Sequence, residues 1–270
     1  MSAVALDHVG IVTRDLAVLA RQYERLGFTL TPLARQTDGR IGNRCAMLRQ
    51  GYIELLAVVD PNASSATVER FLSRYAGIHI LAFFLDDLQT ALARLRRAGL
   101  EPLTISQFDR PIDDTNPGGG RARFAVIQLP DQPEGRINLV HHLTPEALWQ
   151  ERFLRHPNHA AALAEVVIAV DEPAASVARL SRLVGCPVFP DPTGGFVLDL
   201  RHGRVRLLPG TAGATGLPRI NGLTVRTMDG NNAIGWLLAE RGIAHSRHGD
   251  AMVIDPDSAG GVALRFVPAA

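Results

Sequence analysis

The chain has 270 residues, 46% of them apolar, and a formal net charge of +1. That is enough apolar material for two cores, with no electrostatic footprint for nucleic acid or an anionic membrane. All 28 basic residues are arginine, which across the set reads as coding bias. The two cysteines, Cys45 and Cys186, lie too far apart in sequence to suggest a disulfide framework.

A short apolar stretch, 5–13, reads as a strand carrying His8, and Asp15 then opens a helix with Leu16, Leu19, Ala20, Tyr23 and Leu26 on one face. Gly27 stops that helix. Strands follow at 28–35, 44–50 and 52–59, a βαβββ unit. From Gly77 the pattern returns. The stretch from His79 to Leu85 aligns without a gap to the stretch from His8, except that Leu88 falls one position late against Leu16. Leu88, Leu92 and Leu95 form a helical stripe ended by Gly99, and strands are expected at 101–107, 122–129 and 136–142. The 113–120 segment reads as a loop by composition. It lacks the Lys-Ser/Thr that a phosphate-binding loop needs after its glycines.

Residues 146–162 break the pattern and read as a linker between an N-terminal domain, 1–145, and a C-terminal domain, 163–270. A third unit has a strand at 165–170, a helix at 173–184 stopped by Gly185, and strands at 195–200 and 204–208. After a glycine-rich joint, 210–216, a fourth unit starts at Asn221, with a helix at 230–241, Gly242, and strands at 250–255 and 261–267. Each unit's last strand opens on a glycine, at Gly51, Gly135, Gly203 and Gly261, and three residues later stand Glu54, Asn138, Arg206 and Leu264. Two independent markers recurring four times make an internal repeat.

Several stretches carry a family resemblance: the run from Asp7 to Leu16, Gly42-Asn43, Tyr52-Ile53-Glu54-Leu55, Asp109-Arg110-Pro111, His142 to Glu146 with Trp149, and His156-Pro157-Asn158. Together with the paired βαβββ units, they resemble glyoxalase-like proteins of the vicinal oxygen chelate superfamily, which also holds extradiol dioxygenases and bleomycin-resistance proteins. The resemblance covers roughly residues 5–160 and is weak beyond them. It implies an α+β fold of four βαβββ modules paired into two domains, each a cupped sheet.

The resemblance also implies a divalent metal held by first and last strands, which carries over to His8, Glu54 and His79, with Asn138 as the fourth corner. Two imidazoles and a carboxylate suit Zn, Fe(II), Mn, Ni or Co. Asn138 departs from the family: a neutral amide is a poor ligand and cannot serve as the base of glyoxalase-type proton transfer. Metal-free use of the same cup therefore stays open. Arg110 and Arg123, flanking the 113–120 loop, are expected to bind a substrate anion. Asn43 is either a turn residue or a ligand contact, and His142 either lines the rim or caps a turn. The third and fourth units, with Glu165, Arg206, Asn221 and Leu264, read as metal-free, serving to brace the first half or to form a dimer surface.

The expected function is a divalent-metal lyase or isomerase, rather than a dioxygenase, acting on a small oxygenated, anionic metabolite. The alternative is a metal-free binding or sequestering protein. The partner is a small molecule, with no nucleic acid and no membrane; a homodimer stays open. The N-terminus has no signal-peptide pattern and no apolar run reaches the ~20 residues of a membrane span, so a cytoplasmic protein is expected.

Overall fold

The computed structural model describes residues 4–36, 39–101, 103–116, 118, 120–210 and 217–269. The first unit is β1 (Val4–Val12), α1 (Leu16–Arg25), β2 (Ala34–Arg35), β3 (Ile41–Met47) and β4 (Tyr52–Val58). A helix absent from the sequence reading, α2 (Ala66–Leu72), then joins it to the second unit: β5 (Gly77–Leu85), α3 (Leu88–Arg97), β6 (Ile105–Pro111), β7 (Arg121–Gln128) and β8 (Arg136–His142). The linker holds α4 (Pro145–Leu148) and one 3-10 turn, Glu151–Phe153. The third unit is β9 (Ala160–Val170), α5 (Pro173–Val184), β10 (Val188–Pro190), β11 (Phe196–Asp199) and β12 (Arg204–Pro209). The fourth is β13 (Arg219–Thr227), α6 (Asn232–Glu240), β14 (His245–His248), β15 (Ala251–Ile254) and β16 (Ala263–Pro268). Residues 117 and 119 of the 113–120 loop and 211–216 of the joint lie outside the described residues.

Local chemistry explains the helix ends. Asp15 and Asp87 cap α1 and α3, Asp15 accepting from the Val18 N–H and Asp87 from the Gln89 and Thr90 N–H groups. The 28–35 stretch, expected as a strand, pairs only over Ala34 and Arg35. Its preceding residues are tied elsewhere: the Thr29 hydroxyl donates to Arg155 O and the Thr31 N–H to Cys45 O.

The units pair as expected. In the first half the strand order is β2-β3-β4-β1-β5-β8-β7-β6, and in the second β10-β11-β12-β9-β13-β16-β15-β14. At the centre of each half, the first strands of its two units run antiparallel, β1 with β5 and β9 with β13. The halves touch in the sheet at Ile78–Ile220, in β5 and β13. Alternation sorts the side chains. Val9, Ile11, Ile53, Leu55, Leu81, Phe83, Ile137 and Leu139 join a core that is continuous with Val166, Ile168, Val205, Leu223 and Phe266 of the second half. The helices help close this joint core: Arg241 of the segment after α6 donates to Glu24 O and Arg25 O at the end of α1, and Arg94 of α3 donates to Leu183 O of α5. The second half thus braces the first.

A β-bulge in each central strand of the first half sets the site. In β1 the pairing with β5 jumps between Leu6 and His8, leaving Asp7 as the extra residue. In β5 it jumps between Ile78 and Ile80, leaving His79. The two bulges are equivalent by the pairing around them: His8 sits beside Tyr52 as Ile80 sits beside Arg136, and Gly10 beside Glu54 as Ala82 beside Asn138. Gly51, at φ +81, has a Cβ position 2.7 Å from the Asp7 carbonyl, and Gly135, at φ +144, has one 2.5 Å from the His79 carbonyl. Only glycine fits either turn.

Candidate active site

On the face away from the core, the first half forms a cavity of about 370 Å³. Its walls come from β1 and β4 (His8, Tyr52, Glu54), from β5 and β8 (Ile80, Arg136, Asn138), and from β6 and β7 (Phe108, Arg110, Phe124). Asn43 of β3 completes the wall beside Glu54, and its Nδ2 donates to Glu54 Oε1. Two pairing rows cross the floor. Tyr52, His8, Ala82 and Asn138 stand in one, and Glu54, Gly10, Ile80 and Arg136 in the next.

Asp7 is the buried anchor of this site. Its Oδ2 lies 2.6 Å from His8 Nδ1 and its Oδ1 lies 2.8 Å from His142 Nε2. Burial alone would raise its carboxyl, but the His142 and His8 contacts outweigh burial and hold it below the usual carboxylate range. The ionised carboxylate then accepts from both rings, which leaves His8 Nε2 as the nitrogen free for the cavity. Tyr52 stacks on His8 at 4.4 Å between ring centroids. Burial, with the Asp7 and Glu54 charges added, pushes the Tyr52 phenol well above its ordinary value, so it stays protonated and able to donate. Asn43 Oδ1 and Asn138 Oδ1 are buried without a hydrogen-bond partner, two unused acceptors in the cavity wall. Burial also pushes the Cys45 thiol up to about 12 and Cys186 to about 11, so neither is poised as a nucleophile.

The structure brings His8, Glu54, Asn43, Asn138 and Arg110 to one cavity. It does not bring His79. As the bulged residue of β5, His79 turns out of the floor and stacks between Phe71 of α2 and Tyr75, at 4.9 and 4.0 Å. Its Nε2 donates to Tyr75 O at 2.8 Å. Burial lowers it to about 4, the sign of a neutral structural imidazole. The His8, Glu54, His79 set is therefore corrected: Ile80 stands at the expected corner. Arg123 is corrected as well. It is exposed on β7, on the face opposite Phe124, Val126 and Gln128, the β7 side chains that line the cavity. The turn after β8 is held not by His142 but by Thr144, whose hydroxyl accepts from Arg123 N at 2.8 Å. His142 instead stands on the cup side of β8, beyond Asn138 and Val140, packed against Trp149 at 4.8 Å.

Three site residues escaped the sequence reading. Tyr52 and Arg136 were legible, since each stands two residues before an expected corner, Glu54 or Asn138, on the same strand face. Asp7 was not, because simple alternation sends it to the opposite face from His8.

The resemblance implies a divalent metal here, and the residues present do not fit one. His8 Nε2 and Glu54 are the only imidazole and carboxylate among the described cavity residues near the floor rows, and Asn43 already donates to Glu54. Among the described residues no group of three or more His, Cys, Asp or Glu side chains is placed to hold an ion.

The family model for a glyoxalase-like domain matches residues 6–184. The chain belongs to that family. The match runs past the expected domain boundary into the third unit. No curated protein sequence matches this glyoxalase-like chain. Among solved structures, a hypothetical protein from Staphylococcus aureus is similar with a TM-score of 0.72 at 12% identity, over 98% of this chain and 100% of that one. A variant of 4-hydroxymandelate synthase from Streptomyces coelicolor is similar at 0.66 and 13% identity, over 98% and 92%. A fusion of a xylose isomerase-like TIM barrel with 4-hydroxyphenylpyruvate dioxygenase is similar at 0.61 and 12%, over 98% of this chain and 48% of that one. These neighbours establish the vicinal-oxygen-chelate fold of paired βαβββ modules. Among the described residues no helix is long and apolar enough to cross a membrane.

Proposed function

We propose that the first cup is the active site of a lyase or isomerase that moves a proton on a small, oxygenated, anionic metabolite, with His8 as the group that takes and returns it. The observation that carries this reading is the Asp7 carboxylate bound to His8 Nδ1 at 2.6 Å, which orients the ring and aims Nε2 at the cavity. Asp7 stabilises the imidazolium that forms when Nε2 takes a proton. Arg110 and Arg136 offset the negative charge of a substrate carboxylate and of the enolate formed next to it. The Tyr52 phenol donates to a developing oxyanion. Asn43 Oδ1 and Asn138 Oδ1 accept from substrate hydroxyls, which satisfies two buried atoms otherwise left without partners. No step passes through a metal ion.

The test is proton exchange. The protein is incubated in D2O with a panel of small 2-oxo and 2-hydroxy carboxylates, and C–H signals are followed by NMR. Catalysed loss of a C–H signal adjacent to a carbonyl, abolished in His8→Gln, is the expected result. Saturable binding with no exchange by any bound compound would overturn it in favour of a sequestering protein.

A further inference from the structure

The second half builds its own cup at equivalent places, with the charges changed. One pairing row crosses four strands there: Arg204 of β12 beside Glu165 of β9, Glu165 beside Thr224 of β13, and Thr224 beside Arg265 of β16. By the same pairing logic this row corresponds to Tyr52, His8, Ala82 and Asn138 of the first half. Arg265, not the core residue Leu264, is the counterpart of Asn138. Arg206 and Arg226 stand two residues along on the same face, and the row opens on a separate cavity of about 390 Å³.

Two of the four arginines are already paired. Arg204 Nε lies 2.6 Å from Glu165 Oε2 and Arg206 Nη1 lies 3.5 Å from Glu165 Oε1. Arg206 also grips Asp191 with two bonds, of 2.6 and 3.0 Å. The side chains of Arg226 and Arg265 have no ion pair or hydrogen bond among the described residues, and the Nε of each is buried without a partner. Thr224 is buried at the pairing row, and its hydroxyl makes no hydrogen bond among the described residues. Asp199, at the exposed rim, is the other acidic residue lining the cavity. Unused donors therefore concentrate on the β13–β16 side, where no described carboxylate bonds Arg226 or Arg265. A buried guanidinium donor left without an acceptor is costly, and its fork geometry matches an oxyanion.

We propose that this second cup is a binding site for a small oxyanion, a carboxylate or phosphate group of a metabolite, gripped by Arg226 and Arg265 with Thr224 between them. The volume suits a small molecule rather than a macromolecular surface. The site is separate from the proposed active site and stands whether or not that reading holds.

The test is calorimetric titration of the full chain at low salt with two probes, sodium citrate and inorganic pyrophosphate. Saturable binding of either probe at one site per chain is expected, and which probe binds tells carboxylate from phosphate. Arg226→Gln and Arg265→Gln should each weaken it about tenfold or more, and Glu165→Gln, which removes the compensating carboxylate, should tighten it. Circular dichroism confirms that each variant is folded, and the Glu165→Gln arm needs no loss of a guanidinium. Absence of saturable binding by both probes would overturn the proposal. So would affinity unchanged in folded Arg226→Gln and Arg265→Gln proteins, or affinity lost instead on Arg110→Gln in the first cup.

Discussion

Asp7 and His142 are joined across the intervening strand β5, with Asp7 Oδ1 2.8 Å from His142 Nε2. The bond ties the first unit's opening strand to the second unit's closing strand on the cup side of the sheet, where His142 shares the β8 face of Asn138 and Val140. It makes the position of His8 depend on both units at once.

Replacing Asp7 by Asn removes the charge that two buried imidazoles share. Urea unfolding at pH 7 should show a loss of about 3 kcal/mol, the scale for breaking a buried charge pair by removing one partner. The paired variant Asp7→Asn with His142→Phe should lose less than the sum of the two single changes. Additive losses would mean that the two side chains do not act together.

Stability should fall in acid, and His79 should account for part of the fall. Its folded value, lowered by burial to about 4 from 6.5, means that between those pH values the unfolded chain binds more protons. Stability therefore rises with pH through this window, and going from pH 7 to pH 4 should cost about 3 kcal/mol from this residue. His79→Phe, which keeps the stack with Phe71 and Tyr75, should flatten that part of the curve. His156, also lowered by burial, adds a slope of the same sign. Asp7 acts at lower pH: its carboxyl is depressed in the folded chain, so its contribution is intact above ~4 and lost as pH falls through its folded value.

Tyr52→Phe keeps the ring on His8 and deletes the phenol. Thermal stability should change by less than about 1 kcal/mol. Catalysed proton exchange should fall by about 10²-fold or more if the phenol donates in the reaction. Unchanged exchange would remove Tyr52 from the machinery and leave it as packing.

Metal titration checks the donor count. Protein purified without a nickel column, then titrated with Zn, Fe(II), Mn, Ni or Co, should show no tight site that depends on His79. One equivalent of ion lost in both His8→Ala and His79→Phe would show that the bulge in β5 rearranges to complete the ligand set.

The offset between the repeats already held the clue to His79. Asp15 and Asp87, Leu16 and Leu88, and Gly27 and Gly99 share one spacing, and His8 to His79 falls one residue short of it. The two histidines match in chemistry but not in register. The N-caps and the helix-stop glycines, which answer to backbone geometry, give the register: in the repeat Ile80 is the counterpart of His8 and His79 the counterpart of Asp7.

The four βαβββ units and most of their strands and helices were legible in the chain, and the family resemblance carried Glu54, Arg110 and Asn138 to one cup, while Asn43 stayed open between a turn and that cup. Capping, glycine stops and two-residue alternation are local rules that survive folding. Which residues meet at the floor depends instead on how the strands pair. A β-bulge shifts every side chain beyond it to the other face, and whether one forms depends on the partner strand. Two such bulges brought Asp7 beside His8, turned His79 away between Phe71 and Tyr75, and left the first cup with an oriented histidine in place of the expected three-residue metal site.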